Sequence, residues 1–170
     1  MKILIVSDSH GMSLNIKKAL DLHPDAEYLL HLGDGTADLD LLTCLPNKVY
    51  TVNGNGEDIS HRAKSGLPFR LIEVCGKRIY MCHGHRQYVN FSDDKLIYSA
   101  LENDADVLLH GHTHVKRNEY IPPDKLMERD RGLYLFNPGS ITVPRDCLTP
   151  SFGLLDVSPA GILLSHGFIK

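Results

Sequence analysis

Histidines are concentrated at a few points of this 170-residue chain, which contains ten of them. His83 and His85 form one alternate pair, and His110, His112 and His114 form an alternate triplet. In an extended segment, alternate side chains project to the same side. Two imidazoles on one side of a strand end are typical of a metal site, because imidazole is a common ligand of zinc and other transition metals. The spacing therefore predicts metal binding.

Carboxylate and amide side chains lie in the same kind of sequence context as these histidines. The clusters DSHG, GDG, NGNG, HGH and HGHTH each follow a short apolar run. We predict that these clusters supply seven metal ligands: Asp8, His10, Asp34, Asn55, His83, His112 and His114. A closed structural zinc site needs about four ligands and is usually rich in Cys. A larger mixed set of oxygen and imidazole ligands indicates two ions that share a carboxylate, and suits Mn, Fe, Co, Ni or Zn.

The charge of such a site favours a phosphate substrate. Two divalent ions carry four positive charges, and two aspartates with a bridging hydroxide remove three, so about one positive charge remains. Paired ions roughly 3.5–4 Å apart can also clamp the attacking and leaving sides of an in-line displacement. They lower the pKa of bound water towards neutrality. The residues therefore predict hydrolysis of a phosphate ester.

Apolar strands and amphipathic helices must position these clusters. The first third of the chain predicts strands over residues 2–7, 28–32 and 48–52, with helices over 13–22 and 38–45. This alternation is typical of an α/β sheet with parallel strands. Ligands bind outside the carboxyl ends of the strands in such sheets. We therefore expect the polar clusters to meet at one rim.

The rest of the chain predicts a second group of strands. Two apolar runs joined by Gly76 and Lys77 indicate a hairpin with a type II′ turn. A helix is predicted over residues 93–103, and the C-terminal third predicts strands in hairpin succession. Two longer loops are predicted over residues 56–67 and 122–131.

Composition restricts the class of protein. Length and the absence of a composition break predict a single domain over residues 1–170. The net charge is -3 with histidines neutral, and Lys and Arg are not clustered, so duplex nucleic acid is not an expected partner.

The apolar run from Ile3 to Val6 is too short for a signal peptide or a membrane span. Four cysteines without a CxxC pair fit a reduced compartment, so we expect a cytoplasmic protein with no membrane partner. The sequence leaves open whether the protein forms a homo-oligomer.

Six motifs in order resemble the calcineurin-like metallophosphoesterase superfamily: DSHG, GDG, GNGE, HGH, GHTH and NPGS. The resemblance spans residues 1 to about 145 and is greatest to the small bacterial and archaeal phosphodiesterase branch. It implies an α/β/β/α sandwich of two mixed sheets flanked by helices. It further implies two divalent ions, with Mn²⁺ ahead of Ni²⁺, Co²⁺, Fe²⁺ or Zn²⁺. The implied reaction is attack of a metal-bound hydroxide on a small phosphodiester or nucleotide-like substrate, with monoesters as a further option.

The resemblance also implies a role for each predicted site residue. The first ion would be held by three residues: Asp8, His10 and His114. The second ion would be held by three others: Asn55, His83 and His112. Asp34 would bridge the two ions, and both Asp34 and Asn55 would serve catalysis through the metals. The family's rim loop near the substrate matches Asn137, Pro138, Gly139 and Ser140, followed by Arg145, which would meet phosphate.

One position departs from the family pattern. Many relatives have a His or Cys directly after the Asn ligand, and the His is commonly taken as an acid or a phosphate contact. Here that position is Gly56, and Glu57 follows it. Protonation of the leaving group is then in question, and a placed acid typically contributes about 10²–10⁴-fold. His85 or metal-bound water is the predicted substitute, and activated aryl diesters are expected to be cleaved faster than alkyl diesters.

Two alternative functions are compatible with the resemblance. One is a non-catalytic metal-binding scaffold similar to the retromer vacuolar sorting subunit, which departs from the family at metal ligands. The other is a protein phosphatase, although relatives of that kind are longer and usually have a His after the Asn ligand. Because all the predicted ligands are present here, the phosphodiesterase is favoured.

The remaining histidines and several aspartates are expected to have structural or surface roles. The histidines in this group are His23, His31, His61 and His166. The aspartates, predicted as helix-start or surface charges, are Asp38, Asp40, Asp93 and Asp94. His110 is predicted either to pack in the core or to hydrogen-bond a metal ligand.

Overall fold

Two five-stranded sheets pack face to face in the computed structural model, which describes residues 1–60, 66–123, 129–146 and 148–170. The strands of the described residues are, in chain order, β1 (Lys2–Val6), β2 (Tyr28–His31), β3 (Lys48–Thr51), β4 (Phe69–Val74), β5 (Lys77–Cys82), β6 (Val107–Leu109), β7 (Arg117–Ile121), β8 (Leu133–Asn137), β9 (Ser151–Ser158) and β10 (Gly161–Phe168). Sheet A has the order β10-β9-β1-β2-β3, and sheet B has the order β4-β5-β6-β8-β7. The predicted parallel pairing of β1, β2 and β3 is confirmed.

Helices cover the outer faces of both sheets. The helices of the described residues are α1 (Ser13–Leu22), α2 (Asn55–Ser60) and α3 (Asp94–Glu102), with short 3-10 segments over Thr36–Leu41 and His85–Gln87. α1 packs on sheet A, and α3 packs on sheet B. This is the predicted α/β/β/α sandwich of two mixed sheets.

Alternation along β1 shows why its sequence is apolar throughout. Ile3 and Ile5 pack between the two sheets, whereas Leu4 and Val6 pack in the cluster that includes α1. A strand that is buried on both faces needs apolar side chains at every position. Burial of each such side chain stabilises the fold by about 1.5–3 kcal/mol. The polar residues that follow β1 therefore leave a rigid, fully buried strand.

The prediction of a helix over residues 38–45 is wrong. The segment forms only the 3-10 turn Thr36–Leu41, which begins after Gly35. Asp38, predicted as a helix-start or surface charge, lies in the first turn of this segment and is buried. Its carboxylate accepts hydrogen bonds from Ser9 Oγ at 2.6 Å and Gly11 N at 2.9 Å. These contacts with the loop after β1, and not a helical pattern of apolar residues, determine the conformation of the segment.

The β4–β5 hairpin differs from its predicted turn. Val74 pairs with Lys77, so the two turn residues are Cys75 and Gly76, not Gly76 and Lys77. Both have positive φ, 50° and 72°, which is the pattern of a type I′ turn. This turn type matches the twist of the flanking strands, and it places an exposed Cys where Gly or Asn is usual.

Two further predictions need correction. The C-terminal strands are not one hairpin succession, because β8 belongs to sheet B and β9 to sheet A, although β9 and β10 do form a hairpin. The predicted loop over 56–67 begins with helix α2, and residues 61–65, with His61, lie outside the described residues. Of the loop over 122–131, residues 124–128 lie outside them too. In the described part of the chain, no helix is long and apolar enough to cross a membrane.

Candidate metal centre

The predicted ligands lie in loops at strand ends of both sheets. Asp8 and His10 follow β1, Asp34 follows β2, and Asn55 begins α2 after β3. From sheet B, the loop after β5 brings one ligand and the loop after β6 brings two: His83, His112 and His114. We name two groups that Asp34 separates: the Asp8 half (Asp8, His10, His114) and the His83 half (Asn55, His83, His112).

The Asp8 half is closely assembled. Asp8 Oδ1 lies 3.2 Å from His114 Nε2, and His10 Nε2 lies 3.3 Å from the same nitrogen. One potential ligand atom from each of the three residues lies within 4.8 Å of the other two. Asp8 and His114 are buried, whereas His10 is exposed. This geometry suits one ion at the edge of solvent.

The His83 half combines two imidazoles with an amide. The rings of His83 and His112 have centroids 5.1 Å apart. Asn55 Oδ1 is buried and has no hydrogen-bond partner among the described residues. Asp34 closes this half, with Oδ2 at 3.5 Å from His83 Nε2. Ligand atoms of Asp8, Asp34 and His83 form a second set within 4.8 Å of one another.

The free polar atoms of the site fit divalent cations. His83 donates from Nδ1 to Leu32 O, and His114 donates from Nδ1 to Val143 O, each at 2.7 Å. In the neutral imidazole, Nε2 of each ring would then carry the lone pair that binds a metal ion. In the described residues, Asp8 Oδ1 and His83 Nε2 are buried without a hydrogen bond. Buried polar atoms normally have partners, so the chemistry of these atoms fits that of ligands to a divalent cation.

Backbone geometry supports a functional reading of the same residues. Five predicted ligands have positive φ between 46° and 68°: Asp8, His10, Asp34, His112 and His114. Such a conformation is uncommon for residues other than Gly and costs about 1–3 kcal/mol each. Conformational strain of this kind persists at active sites, where the surrounding structure enforces it.

Electrostatics keep the carboxylates ionised. Burial raises the pKa of Asp8, but His114 and His83 lower it more, so the net pKa lies below its ordinary value. Burial also opposes ionisation of Asp34, yet His83 and the backbone amide of Gly56 hold its pKa far below the ordinary range. His10 lowers the pKa of Asp34 further, so this carboxylate experiences charges from both halves. Ionised carboxylates are the form that binds metal.

Glu57 is the main support of Asp34, a role that the sequence did not reveal. Its Oε2 accepts hydrogen bonds from the backbone N–H of Asp34 and Gly54, both at 2.8 Å. Its Oε1 accepts from the N–H of Gly35 at 2.7 Å and of Thr36 at 2.8 Å. Burial raises the pKa of Glu57, but these four amides lower it more, so it stays ionised. One carboxylate thus ties the loop after β2 to the loop after β3.

His85 lies beside the His83 half with an aspartate partner. Its Nε2 is 3.0 Å from Asp58 Oδ2, and its ring centroid is 6.0 Å from that of His112. Arg86 also binds Asp58, at 2.7 Å. Burial lowers the pKa of His85, and Asp58 acts against this. The sequence offered no signal for Asp58 as the residue that orients His85.

The rim loop after β8 lies beneath the site. Asn137 and Ser140 are fully buried. Asn137 Nδ2 donates to Gly111 O at 3.0 Å, and Ser140 Oγ donates to Asp8 O at 2.9 Å. Asn137 Oδ1 accepts from Gly139 N at 2.8 Å. These contacts favour support of the ligand loops, so the predicted contact of Asn137, Gly139 and Ser140 with substrate stays a prediction.

Arg145 lies beside His114, and its predicted contact with phosphate stays a prediction. It is exposed, and its backbone N–H binds His114 O at 3.0 Å. Its charge acts against protonation of His114, whose pKa is nevertheless raised, chiefly by Asp8.

Two buried histidines support the loops from below. His31 accepts from Gly33 N at 3.2 Å, so its Nε2 carries the proton towards Ser9 Oγ at 3.1 Å. His110 lies in the core, with Nδ1 at 3.1 Å from Gly111 O. Burial lowers the pKa of each to about 4, so both are neutral at pH 7. The packed role predicted for His31 is confirmed.

Comparison with known proteins agrees with this geometry. A family model described as the calcineurin-like phosphoesterase superfamily domain matches residues 1–160. The chain belongs to this superfamily. It is therefore a member of a family of metal-binding phosphoesterases, as the motifs implied.

Curated relatives carry names of the same kind. A probable metallophosphoesterase, YsnB of Bacillus subtilis (strain 168), is 30% identical over 156 residues, which cover 91% of this chain and 83% of the relative. The phosphodiesterase YfcE of Escherichia coli (strain K12) is 28% identical over 177 residues, which cover 92% and 88%. This chain is thus similar to a named phosphodiesterase over nearly its whole length.

A solved structure with the same fold carries a different name. Wild-type Vps29 of Entamoeba histolytica, crystallised in complex with Zn²⁺, superposes on this chain with a TM-score of 0.69 and 21% identity over 99% of each chain. At this identity the similarity shows the fold alone.

Proposed function

We propose that the protein is a two-metal phosphodiesterase. The observation that carries the proposal is a pair of overlapping ligand sets, Asp8 with His10 and His114, and Asp8 with Asp34 and His83. Each set has its ligand atoms within 4.8 Å, and together they include buried atoms that have no partner in the described residues. One ion would leave part of this donor set unused.

Bound ions would be held by the residues of both halves. The Asp8 half would hold the first ion, the His83 half would hold the second, and Asp34 would bridge them. Imidazole and carboxylate donors suit Mn²⁺ first, with Ni²⁺, Co²⁺, Fe²⁺ or Zn²⁺ as alternatives. When bound, two divalent ions neutralise phosphate charge and lower the pKa of coordinated water.

The protein's own groups would complete the reaction. Arg145 would bind a non-bridging phosphate oxygen from the exposed side of the Asp8 half. His85, oriented by Asp58, would hold a proton near the leaving oxygen on the other side, because Gly56 offers no side chain there. Glu57 would fix the position of Asp34 throughout. The substrate would be a small phosphodiester or nucleotide-like molecule.

A metal-by-substrate screen on metal-free protein tests the proposal. Mn²⁺, Ni²⁺, Co²⁺, Fe²⁺ and Zn²⁺ would each be added, and diester, monoester and cyclic nucleotide probes would be compared. We expect diester cleavage to exceed monoester cleavage and to require about two ions per chain. Tight binding of metal without turnover of any probe would contradict the proposal and favour the metal-binding scaffold.

A further inference from the structure

Two imidazoles of the candidate site are fixed by backbone carbonyls. His83 and His114 donate from Nδ1 to Leu32 O and Val143 O, and both leave Nε2 for a metal ion. A metal-ligating histidine usually engages its other ring nitrogen in this way, which sets the tautomer and the direction of the ring.

His112 has the opposite arrangement. Its Nε2 lies 3.0 Å from the side-chain amide of Asn90. Its backbone N–H donates to Asp8 Oδ2 at 3.2 Å, which holds the residue at the site. The amide oxygen and nitrogen of Asn can exchange places by rotation about the last side-chain bond. If Asn90 Nδ2 donates to Nε2, the ring proton lies on Nδ1, whereas with the amide turned over Oδ1 accepts from Nε2–H and Nδ1 is left for a metal ion.

We propose that Asn90 is a positioning residue of the metal centre, which holds His112 by Nε2 so that Nδ1 binds the second ion. This inference rests on the proposed function and concerns the same site. With metal bound, His112 Nε2–H would donate to Asn90 Oδ1. His112 would then differ from His83 and His114, which present Nε2.

The loop that carries Asn90 is built to keep it in place. It starts at Gly84, directly after the ligand His83, and Gly84 O accepts hydrogen bonds from the N–H groups of Gln87 and Val89. Val89 is buried, and Tyr88 adopts a left-handed conformation with φ 59°. These contacts hold the backbone just before Asn90, whose exposed side chain then reaches His112.

A substitution at Asn90 can also affect metal binding by the His83 half without affecting the Asp8 half. A substitution cannot remove the backbone carbonyls that hold His83 and His114. The partner of His112 is a side chain, so a substitution at Asn90 changes how His112 is held and leaves every predicted ligand residue in place. If His112 instead bound metal through Nε2, Asn90 would compete with the ion.

Calorimetric titration of the metal-free protein with Mn²⁺ distinguishes metal binding through Nδ1 of His112 from binding through Nε2. Loss of the Asn90 side chain would weaken binding in the first case and strengthen it in the second. We expect Asn90→Ala to weaken one of two binding steps by about 10–100-fold and to leave the other unchanged. Asn90→Asp should retain both steps, because its carboxylate can accept from Nε2–H. Asn118→Ala is the matched control, since that exposed amide donates to Leu164 O instead of to a site residue. In the Zn²⁺-loaded protein, nitrogen NMR of the His112 ring should show the proton on Nε2.

Several outcomes would overturn the role of Asn90. Tighter Mn²⁺ binding by Asn90→Ala would show that Nε2 is the ligand, and unchanged binding would show that Asn90 has no part. Equal weakening of both steps with a lower melting temperature of the metal-free protein would indicate general structural damage. A wild-type protein that binds no divalent ion would overturn the proposed function itself.

Discussion

The two halves of the metal centre differ in how far the protein assembles them through its own contacts. In the Asp8 half, Asp8 and His10 both lie within 3.3 Å of His114 Nε2. In the His83 half, Asn55 Oδ1 and His83 Nε2 have no hydrogen-bond partner among the described residues.

This difference indicates how each half would respond to metal. Donor atoms that already converge need little reordering on binding, and less ordering means higher affinity. The Asp8 half should therefore bind its ion more tightly than the His83 half. Asp34 and Glu57, which connect the halves, should matter more than any residue that belongs to one half.

The largest effect is expected from Asp34→Asn. The change removes a charge that both halves experience, so we expect kcat/KM for a diester to fall by about 10³-fold or more, equal to about 4 kcal/mol. His112→Gln should cost less, because it weakens one half. Steady-state kinetics would measure both.

Two matched variants show whether the loss is specific. Asp21→Asn makes the same chemical change at an exposed ion pair with Lys17, and it should leave activity unchanged. His23, which packs edge-on against Phe152, should also tolerate Ala without loss of turnover. Equal damage by His23→Ala and Asp34→Asn would mean that the site is misplaced.

Chelation should act on the whole centre. An ion present at 100 times its Kd stabilises the folded state by about 2.7 kcal/mol. For a chain of this size that corresponds to a fall in Tm of about 5–10 °C in excess EDTA, with activity lost and then restored by Mn²⁺. Unchanged melting in EDTA, in a protein purified without metal, would argue against a metal centre.

Glu57→Gln tests the junction between the halves. The amide can accept at only one end, so two backbone N–H groups lose their acceptor, and stability should fall by about 2 kcal/mol or more. Urea denaturation at pH 7 would measure this, with exposed Glu73→Gln as the control.

The pH dependence of that difference has a definite sign. The pKa of Glu57 is lowered by folding from an ordinary value of 4.5, so its contribution is complete above that pH. It should diminish as the pH falls below about 4.5, and wild type and Glu57→Gln should converge. A difference that persists in acid would show that the charge of Glu57 is unimportant.

Gly56→His should give the smallest effect. A Cβ at this position would lie 3.1 Å from Asp34 Oδ1, so the carboxylate must yield slightly to admit the imidazole. We expect cleavage of alkyl diesters to rise by about 10-fold, less than the ~10²–10⁴-fold of a well-placed acid. Leaving groups of graded pKa would be compared with Mn²⁺ present, and Gly56→Ala would control for the added Cβ. If the rate in wild type does not depend on leaving-group pKa, an acid is already present, and His85 would be mutated next.

Much of this protein could be predicted from strand ends alone. Each apolar run is followed by a polar cluster, and parallel strands bring such ends to one rim. The two-sheet sandwich was implied by the resemblance to the superfamily, and the structure gives its reason, because β1 is apolar on both faces and is covered by a layer on each side. By contrast, helix 38–45 was mispredicted because Asp38 turns inward to Ser9, which lies 29 residues away in the chain.

The sequence by itself determined which side chains could bind metal and which strands would carry them. Only the tertiary structure decided how those side chains are held. Glu57 supports Asp34 across 23 residues, and Asn90 contacts His112 across 22. Hydrogen bonds of this kind join loops from different strands, and their partners depend on how the strand ends meet in space. Periodicity and composition describe each segment separately, so they carry no information about such pairs.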